Sequence, residues 1–276
     1  MADASIEVGR GDRFAFGENW RRFLESLTEE RVRAAEASLS AMLGGVAGKT
    51  VVDVGCGSGI FSLAAKRLGA AWLHSFDYDA GSVACVTELK RRYDPSDDSW
   101  TVEQGSVLDV SYIEALGTFD VVYSWGVLHH TGAMWAALDI AARLVASGGT
   151  LFISIYNDQG WVSRHWKFVK RTYNRLPRAL RWTVLWPAFA VLWGPRSVID
   201  LAKGRPFATW RAYGKNDRGM SPWRDVVDWV GGYPFEVARP EEIVDFFIAR
   251  GFVLTKLKTC GGALGCNEYV FESRKR

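Results

Sequence analysis

An acid followed by three alternating glycines, Asp53-Val54-Gly55-Cys56-Gly57-Ser58-Gly59, closes the β-branched run that begins at Val51. Glycines at this spacing let the chain turn tightly and bring its backbone close to a ligand. The run that follows, Phe61-Ser62-Leu63-Ala64-Ala65-Lys66-Arg67-Leu68, is a good helix former. Strand, tight turn and helix make the opening unit of a nucleotide-binding α/β sheet. A dinucleotide fingerprint would place a further glycine where this chain has Ile60, so a pyrophosphate on the helix N-terminus fits poorly. An adenosine without phosphates, carrying an amino-acid tail, suits Asp53 better. Asp77 stands 22 residues after Gly55, about the spacing at which a carboxylate reaches ribose hydroxyls. Farther along are Ser106, Trp125, the pair His129-His130, and Tyr156. An imidazole titrates near neutral pH and can take the proton of a hydroxyl, and a tyrosine can donate a hydrogen bond to the same acceptor.

Five apolar runs carry these residues. Val51–Val54 is followed by Ala71–Phe76, which ends at Asp77, and by Trp100–Gln104, which leads into Gly105-Ser106-Val107-Leu108-Asp109. Phe119–Ser124 precedes Trp125, and Gly148–Tyr156 makes the fifth. In an open α/β sheet, ligands bind beyond the carboxyl ends of the strands. That rule gathers Asp53–Gly59, Asp77, Ser106, Trp125–His130 and Tyr156–Asp158 around one pocket. A terminal hairpin, Phe252–Thr259 and Asn267–Phe271, turns its Gly261–Gly265 tip toward the same edge. The helix before it starts at Pro240-Glu241-Glu242 and stops at Gly251.

On these motifs, residues 48–157 resemble the class I S-adenosylmethionine-dependent methyltransferases, whose first motif is an acid followed by G-x-G-x-G. The resemblance implies an α/β fold: a doubly wound, mostly parallel seven-stranded sheet, Rossmann-like, with a closing antiparallel hairpin. It implies S-adenosylmethionine as cofactor and S-adenosylhomocysteine as product. It assigns Asp53, Gly55, Gly57, Gly59, Asp77, Tyr78, Ser106, Val107 and Trp125 to cofactor binding, with Asp77 on the ribose and Asp53 near the methionine amino group. Ser106 stands where the family often has an acid, so the adenine contact falls to its hydroxyl and to backbone amides. Gly126-Val127-Leu128-His129-His130 is similar to the small-molecule branch that includes the ubiquinone and menaquinone biosynthesis methyltransferases. His129 and His130, then Tyr156, are the catalytic candidates. No metal site is expected, because the four histidines and four cysteines form no ligand cluster.

Where the family's simplest members pass through one helix to the hairpin, this chain inserts about 80 residues between Asn157 and Pro234. The expected division is an N-terminal helical cap at 1–47, a methyltransferase core at 48–157 and 235–276, and a helical lid at 158–234. Within the cap, Glu29–Leu43 is helical, and Phe14–Phe23 folds over the cofactor mouth or packs on the sheet. In the lid, a helix over Trp161–Leu176 places Trp161, His165, Phe168, Val169, Thr172, Tyr173 and Leu176 on one side, using about 100° per residue. Arg164, Lys167, Lys170, Arg171 and Arg175 fall on the other. His165 reads as a core histidine. The uncharged run Trp182–Pro195 is too short to span a bilayer, which needs about 20 apolar residues. Its Pro187 is expected to kink or break a helix. Such a run is buried in the protein, in a lipid interface, or in a dimer contact.

Composition fits an enzyme with a sizeable core: 276 residues, 48% hydrophobic, net charge +3. The acidic start Met1–Glu7 has no apolar run of a signal peptide, so a cytoplasmic location with optional peripheral membrane contact is expected, and reduced thiols with it. No Asn/Asp-Pro-Pro-aromatic motif follows Ser124 and no Pro-Cys pair occurs, which argues against amide, adenine-amino and cytosine-C5 methylation. No nucleic-acid module is present, so no nucleic-acid partner is expected. O-methylation of an aromatic, prenylated or glycan acceptor is the leading expectation. A macromolecule methyltransferase holding an anionic polymer on its basic helix, and a non-catalytic cofactor-binding module, are the alternatives.

Overall fold

The computed structural model describes residues 4–17, 20, 24, 27–93, 98–213 and 222–274. Seven strands form one sheet in the order β3-β2-β1-β4-β5-β7-β6. They are β1 (Thr50–Val54), β2 (Trp72–Asp77), β3 (Trp100–Gln104), β4 (Phe119–Trp125), β5 (Val145–Tyr156), β6 (Phe252–Lys258) and β7 (Cys266–Ser273). The first five pair in parallel, and β7 enters antiparallel between β5 and β6. Because chain order reverses between β1 and β4, their carboxyl ends splay around a crevice, which is where such sheets bind ligands.

Both faces of the sheet are covered, so its central strands are apolar throughout. Alternation along β1 sends Val51 and Asp53 to one face and Val52 and Val54 to the other. On the first face pack α2 (Glu29–Leu43), α3 (Ile60–Arg67) and α4 (Ala80–Tyr93), through Val32, Leu39, Leu63 and Val86. On the second pack α5 (Val110–Leu116), α6 (Met134–Arg143) and α11 (Pro240–Ile248), through Ile113, Leu138, Ile243 and Phe247. Each fully buried aliphatic or aromatic side chain contributes about 1.5–3 kcal/mol. Helix ends follow local chemistry. Thr28 caps α2 through the Arg31 amide, Gly44 ends it at φ 72°, and Glu242 accepts the Arg239 amide at 2.7 Å where Pro240 opens α11. The cap at 1–47 is therefore two things. Helix α2 belongs to the sheet's own layer, whereas α1 (Ala4–Arg10) and the segment after it lie at the strand ends.

Among the described residues the insertion forms four α-helices: α7 (Trp161–Arg175), α8 (Trp182–Ala202), α9 (Ala208–Tyr213) and α10 (Pro222–Gly231). They share a separate core of Trp166, Tyr173, Leu185, Trp193, Val226, Val230 and Phe235, joined by Phe14. The side assignment on α7 needs correction. Its inward stripe is Ser163, Trp166, Lys170, Tyr173 and Asn174, while Trp161 and Phe168 are 71% and 69% exposed and His165 is exposed too. Lys170 therefore leaves the solvated basic face and lies inside. Helix α8 is also corrected: it runs unbroken through Pro187 and Pro195. Both prolines sit on its exposed side, where water can satisfy the carbonyls of Thr183 and Val191 that lose an amide partner. Nor is α8 wholly buried, since Trp182 is 60% exposed and Trp186, Val191, Val198 and Leu201 are exposed beside it. Among the described residues no helix is long and apolar enough to cross a membrane.

Candidate active site

The glycine turn is held by its surroundings. Gly55, Gly57 and Gly59 all have positive φ, at 75°, 53° and 77°. A Cβ on Gly55 would stand 2.3 Å from Val127 Cγ1, so the turn needs glycine there for both conformation and space. The Gly57 amide donates to Asp77 Oδ2 at 2.9 Å, and the Asp79 amide donates to Oδ1 at 2.8 Å. Asp77 thus braces the turn from the end of β2. Burial raises its carboxyl to about 6, against the opposing pull of those two amides.

Asp53 lies deeper, only 3% exposed. Its Oδ2 accepts from Ser62 Oγ at 2.5 Å, Ser62 Oγ accepts from Ser75 Oγ at 2.9 Å, and Ser75 Oγ accepts from Trp100 Nε1 at 3.0 Å. This chain of hydrogen bonds ties β1, α3, β2 and β3 together beneath the turn. Burial pushes the Asp53 carboxyl up to about 7; Ser62 opposes the rise and the nearby Asp77 adds to it. With Oδ2 spent on Ser62, Oδ1 is the atom left for a cofactor amino group. Val107, assigned by resemblance to the cofactor, has its side chain buried in the core with Ile113 and Phe76. The Ser106 hydroxyl accepts the Leu108 amide at 3.2 Å and keeps its own proton to donate. Trp125 Nε1 donates to Glu268 Oε1 at 3.3 Å across the sheet edge.

The N-terminal segment lies over this turn. The Gly17 amide donates to Asp79 Oδ2 at 2.9 Å, and a Cβ on Gly57 would approach the Trp20 indole to 3.2 Å. Arg13 pairs with Glu7 at 2.6 Å and stacks 4.8 Å over the Tyr78 ring, whose hydroxyl reaches Glu7 at 3.2 Å. Phe16 packs 5.2 Å from the His130 ring. The rest of the expected Phe14–Phe23 cover, residues 18, 19 and 21–23, lies outside the described residues.

On the other side of the crevice, a short 3₁₀ turn, Leu128–His130, follows β4 and faces Tyr156 at the end of β5. His129 has no exposed surface and packs 4.0 Å from the Tyr156 ring, which it supports. His130 is nearer the mouth. Its Nδ1 donates to the Pro234 carbonyl at 2.6 Å, an acceptor-only group, which leaves Nε2 carrying the lone pair. The expectation of a near-neutral imidazole is corrected: burial, with Lys170 and Arg13 adding positive charge, lowers it to about 3 despite the Pro234 bond. Lys170, which the sequence placed among surface cations, is fully buried. Its Nζ donates to the Trp229 carbonyl and lies 4.2, 4.7 and 5.7 Å from the Trp229, Phe235 and Tyr156 ring centroids. Burial brings it down from 10.5 to about 7. The signal was present as a 3.6-residue stripe, Ser163-Trp166-Lys170-Tyr173, hidden because a lysine is assigned outward by default.

The residues present fit S-adenosylmethionine. Asp77 offers carboxylate oxygens for ribose hydroxyls, the Trp20 indole lies against Gly57 as an apolar cover for the turn, and two carboxylates beside the turn disfavour a diphosphate. Residues 21–199 match the family described as "Methyltransferase domain". The chain belongs to that family. Among curated relatives, a ubiquinone biosynthesis O-methyltransferase of Pseudomonas paraeruginosa is 30% identical over 166 residues, 58% of this chain and 59% of its own length. A ribosomal protein L11 methyltransferase of Bacillus cytotoxicus is 39% identical over 107 residues, 39% of this chain and 31% of its own. The match thus spans less than two thirds of either relative. Among solved structures, the magnesium protoporphyrin IX methyltransferase of Synechocystis with bound S-adenosylmethionine superposes with TM-score 0.55 over 99% of this chain and 98% of its own, at 12% identity. PKMT2 of Rickettsia typhi gives TM-score 0.56 over 90% and 55%, also at 12%. These two show a shared fold.

Proposed function

We propose that the protein transfers the methyl group of S-adenosylmethionine to an oxygen of a small-molecule acceptor seated between His130, Tyr156 and the helical lid. One observation carries this reading: the glycine turn braced by Asp77 and the His130–Tyr156 pair both stand at the carboxyl ends of parallel strands of the one sheet. Bound S-adenosylmethionine supplies a methyl already activated on a sulfonium, so the protein's main task is to align the reacting groups and exclude water. Asp77 and the turn fix the cofactor's place. Phe16, Tyr156, Trp229 and Phe235 supply flat apolar walls for an aromatic acceptor. His130, held neutral, presents Nε2 as a hydrogen-bond acceptor that orients a hydroxyl. With its basicity so depressed it steers the proton more than it captures it.

The likeness to an L11 methyltransferase keeps a macromolecular acceptor as the competing reading, and the walled-in position of Tyr156 favours the small molecule. The test is calorimetry with S-adenosylhomocysteine, followed by incubation of cell extract with methyl-labelled S-adenosylmethionine. Label in metabolites supports the proposal; label in protein alone overturns it. A peripheral membrane role is supported by a specific observation, the exposed aromatic side chains Trp161 and Phe168 on α7 and Trp182 and Trp186 on α8, together with the exposed cations Arg164, Lys167 and Arg171 on α7. Indoles favour the boundary between apolar and wet surroundings, and cations favour anionic headgroups.

A further inference from the structure

Lys170 is the residue the proposed reaction leaves unexplained. An ammonium carries three N–H groups, and here one is used, on the Trp229 carbonyl. Among the described residues no carboxylate lies within ion-pair distance of it; Asp228 acts on it from farther away. A fully buried cation without a counter-ion is costly, and such groups are retained where something binds them. Attraction to the three surrounding rings offsets part of that cost and does not remove it.

A second donor stands beside it. Trp229 Nε1 is buried and meets no acceptor among the described residues, although buried indole N–H groups usually find one. The Lys170 Nζ lies 4.2 Å from the centroid of that same indole. The rings around the ammonium form flat walls, with centroid separations of 5.3 Å for Tyr156–Trp229, 5.1 Å for Tyr156–Phe235 and 6.1 Å for Trp229–Phe235. Tyr156 closes the carboxyl end of β5, and its ring is 5.4 Å from that of His130, so the box borders the strand edge that carries the glycine turn. Arg13, which donates to the His130 carbonyl at 3.1 Å, adds a second positive charge there.

Resting on the methyltransferase reading, we propose that Lys170 and the Trp229 indole N–H together bind a carboxylate on the methyl acceptor, so that the acceptor is a planar aromatic acid. Two unspent donors side by side match the two oxygens of a carboxylate, where a single hydroxyl or ketone would leave one donor unused. Flat walls select a flat body, and the buried charge rejects the neutral analogue, which would leave the ammonium uncompensated. Tyr156 and Trp229 are only part-buried, so turning of these rings admits the ligand.

The test uses benzoate and its neutral isostere benzamide as probes, titrated into the full chain saturated with S-adenosylhomocysteine and followed by saturation-transfer NMR. Benzoate is expected to bind and benzamide to bind at least about tenfold more weakly, the weight of a charge-assisted hydrogen bond. Lys170→Met is expected to abolish that preference, and Lys170→Arg to retain part of it. S-adenosylhomocysteine affinity, measured by calorimetry on each variant, reports whether the variant is folded. Should Lys170→Met lose it, Trp229→Phe serves instead, with benzoate expected to weaken several-fold. Equal binding of the two probes, no binding of benzoate, a preference that survives in Lys170→Met, or an unchanged benzoate affinity in Trp229→Phe overturns the inference. If the wild-type chain fails to bind S-adenosylhomocysteine, the methyltransferase reading fails first; if it binds and benzoate does not, only the acceptor class is wrong.

Discussion

Replacing Lys170 by Met should make the protein more stable at neutral and acidic pH. The amine is fully buried, and burial lowers it from 10.5 to about 7. At 1.36 kcal/mol per pKa unit, this corresponds to an electrostatic penalty on the order of 5 kcal/mol for holding the charge inside. Met removes the charge and fills similar volume, but it leaves the Trp229 carbonyl without its donor, a loss of about 1–3 kcal/mol. The net gain is about 2–4 kcal/mol below pH 7. Its pH dependence has a definite sign. Between about 7 and 10.5 the unfolded lysine is protonated and the folded one is not, so the unfolded chain binds more protons and wild-type stability rises with pH. The variant has no such group. Its advantage should therefore be full below pH 7 and shrink by about 1.4 kcal/mol per pH unit above it, the two stability curves crossing near about pH 9. Urea unfolding of both proteins at pH 6, 7, 8 and 9, taken as a difference, isolates this residue from other titrating groups. A variant less stable at pH 6, or a difference flat across that range, would refute the assignment of Lys170 as a buried and costly cation. A confirmed gain would also be the expected mark of a residue retained for binding at the expense of stability.

Other outcomes follow from the same geometry. Gly55→Ala puts a methyl 2.3 Å from Val127 Cγ1 on a residue at φ 75°, and calorimetry should show S-adenosylhomocysteine binding lost; Val127→Ala in the same chain should restore part of it. Asp77→Ala strands the Gly57 and Asp79 amides as well as the ribose, so cofactor affinity should fall by about 10- to 100-fold; an unchanged dissociation constant removes Asp77 from the site. His130→Asn should lower turnover with cofactor affinity kept, by less than the roughly 10²–10⁴-fold that loss of a proton-accepting base costs, because His130 orients the hydroxyl and is too weakly basic to take its proton. Because burial holds the imidazole at about 3, and the folded state takes up its proton only below the unfolded value of 6.5, the wild-type rate should show no His limb near 6.5, while stability should fall as pH drops from 6.5 toward 3. Trp182→Ser with Trp186→Ser should abolish sedimentation with anionic vesicles if these exposed indoles meet a membrane; wild-type protein that stays in solution with such vesicles at low salt dismisses that surface.

The parts of this molecule that were legible in its sequence are those determined by neighbours a few residues away. A glycine at φ 75° needs no partner to be recognised, and β-branched runs ending in an acid mark strand ends whatever they later touch. Hence the seven strands and the cluster Asp53, Gly55–Gly59 and Asp77 stand where sequence spacing places them. The lid was harder, because its inner face is defined by contact with distant segments. Phe168 looks like a core residue and is exposed; Lys170 looks like a surface residue and is fully buried, since Trp229, Phe235 and Tyr156 arrive from α10, the chain beyond it and β5 to enclose it. Hydropathy assigns each residue an average cost, and an average misleads where function sets the exception. His130 shows the same limit. Its reference value is a property of the side chain, whereas its depression to about 3 comes from burial and from Lys170 and Arg13, 40 residues later and 117 residues earlier in the chain. Local sequence thus encodes the cofactor half of the site, which is built on one strand–turn–helix unit. The proposed acceptor half is assembled from four separate segments, and only their convergence in space gives those residues a shared chemistry.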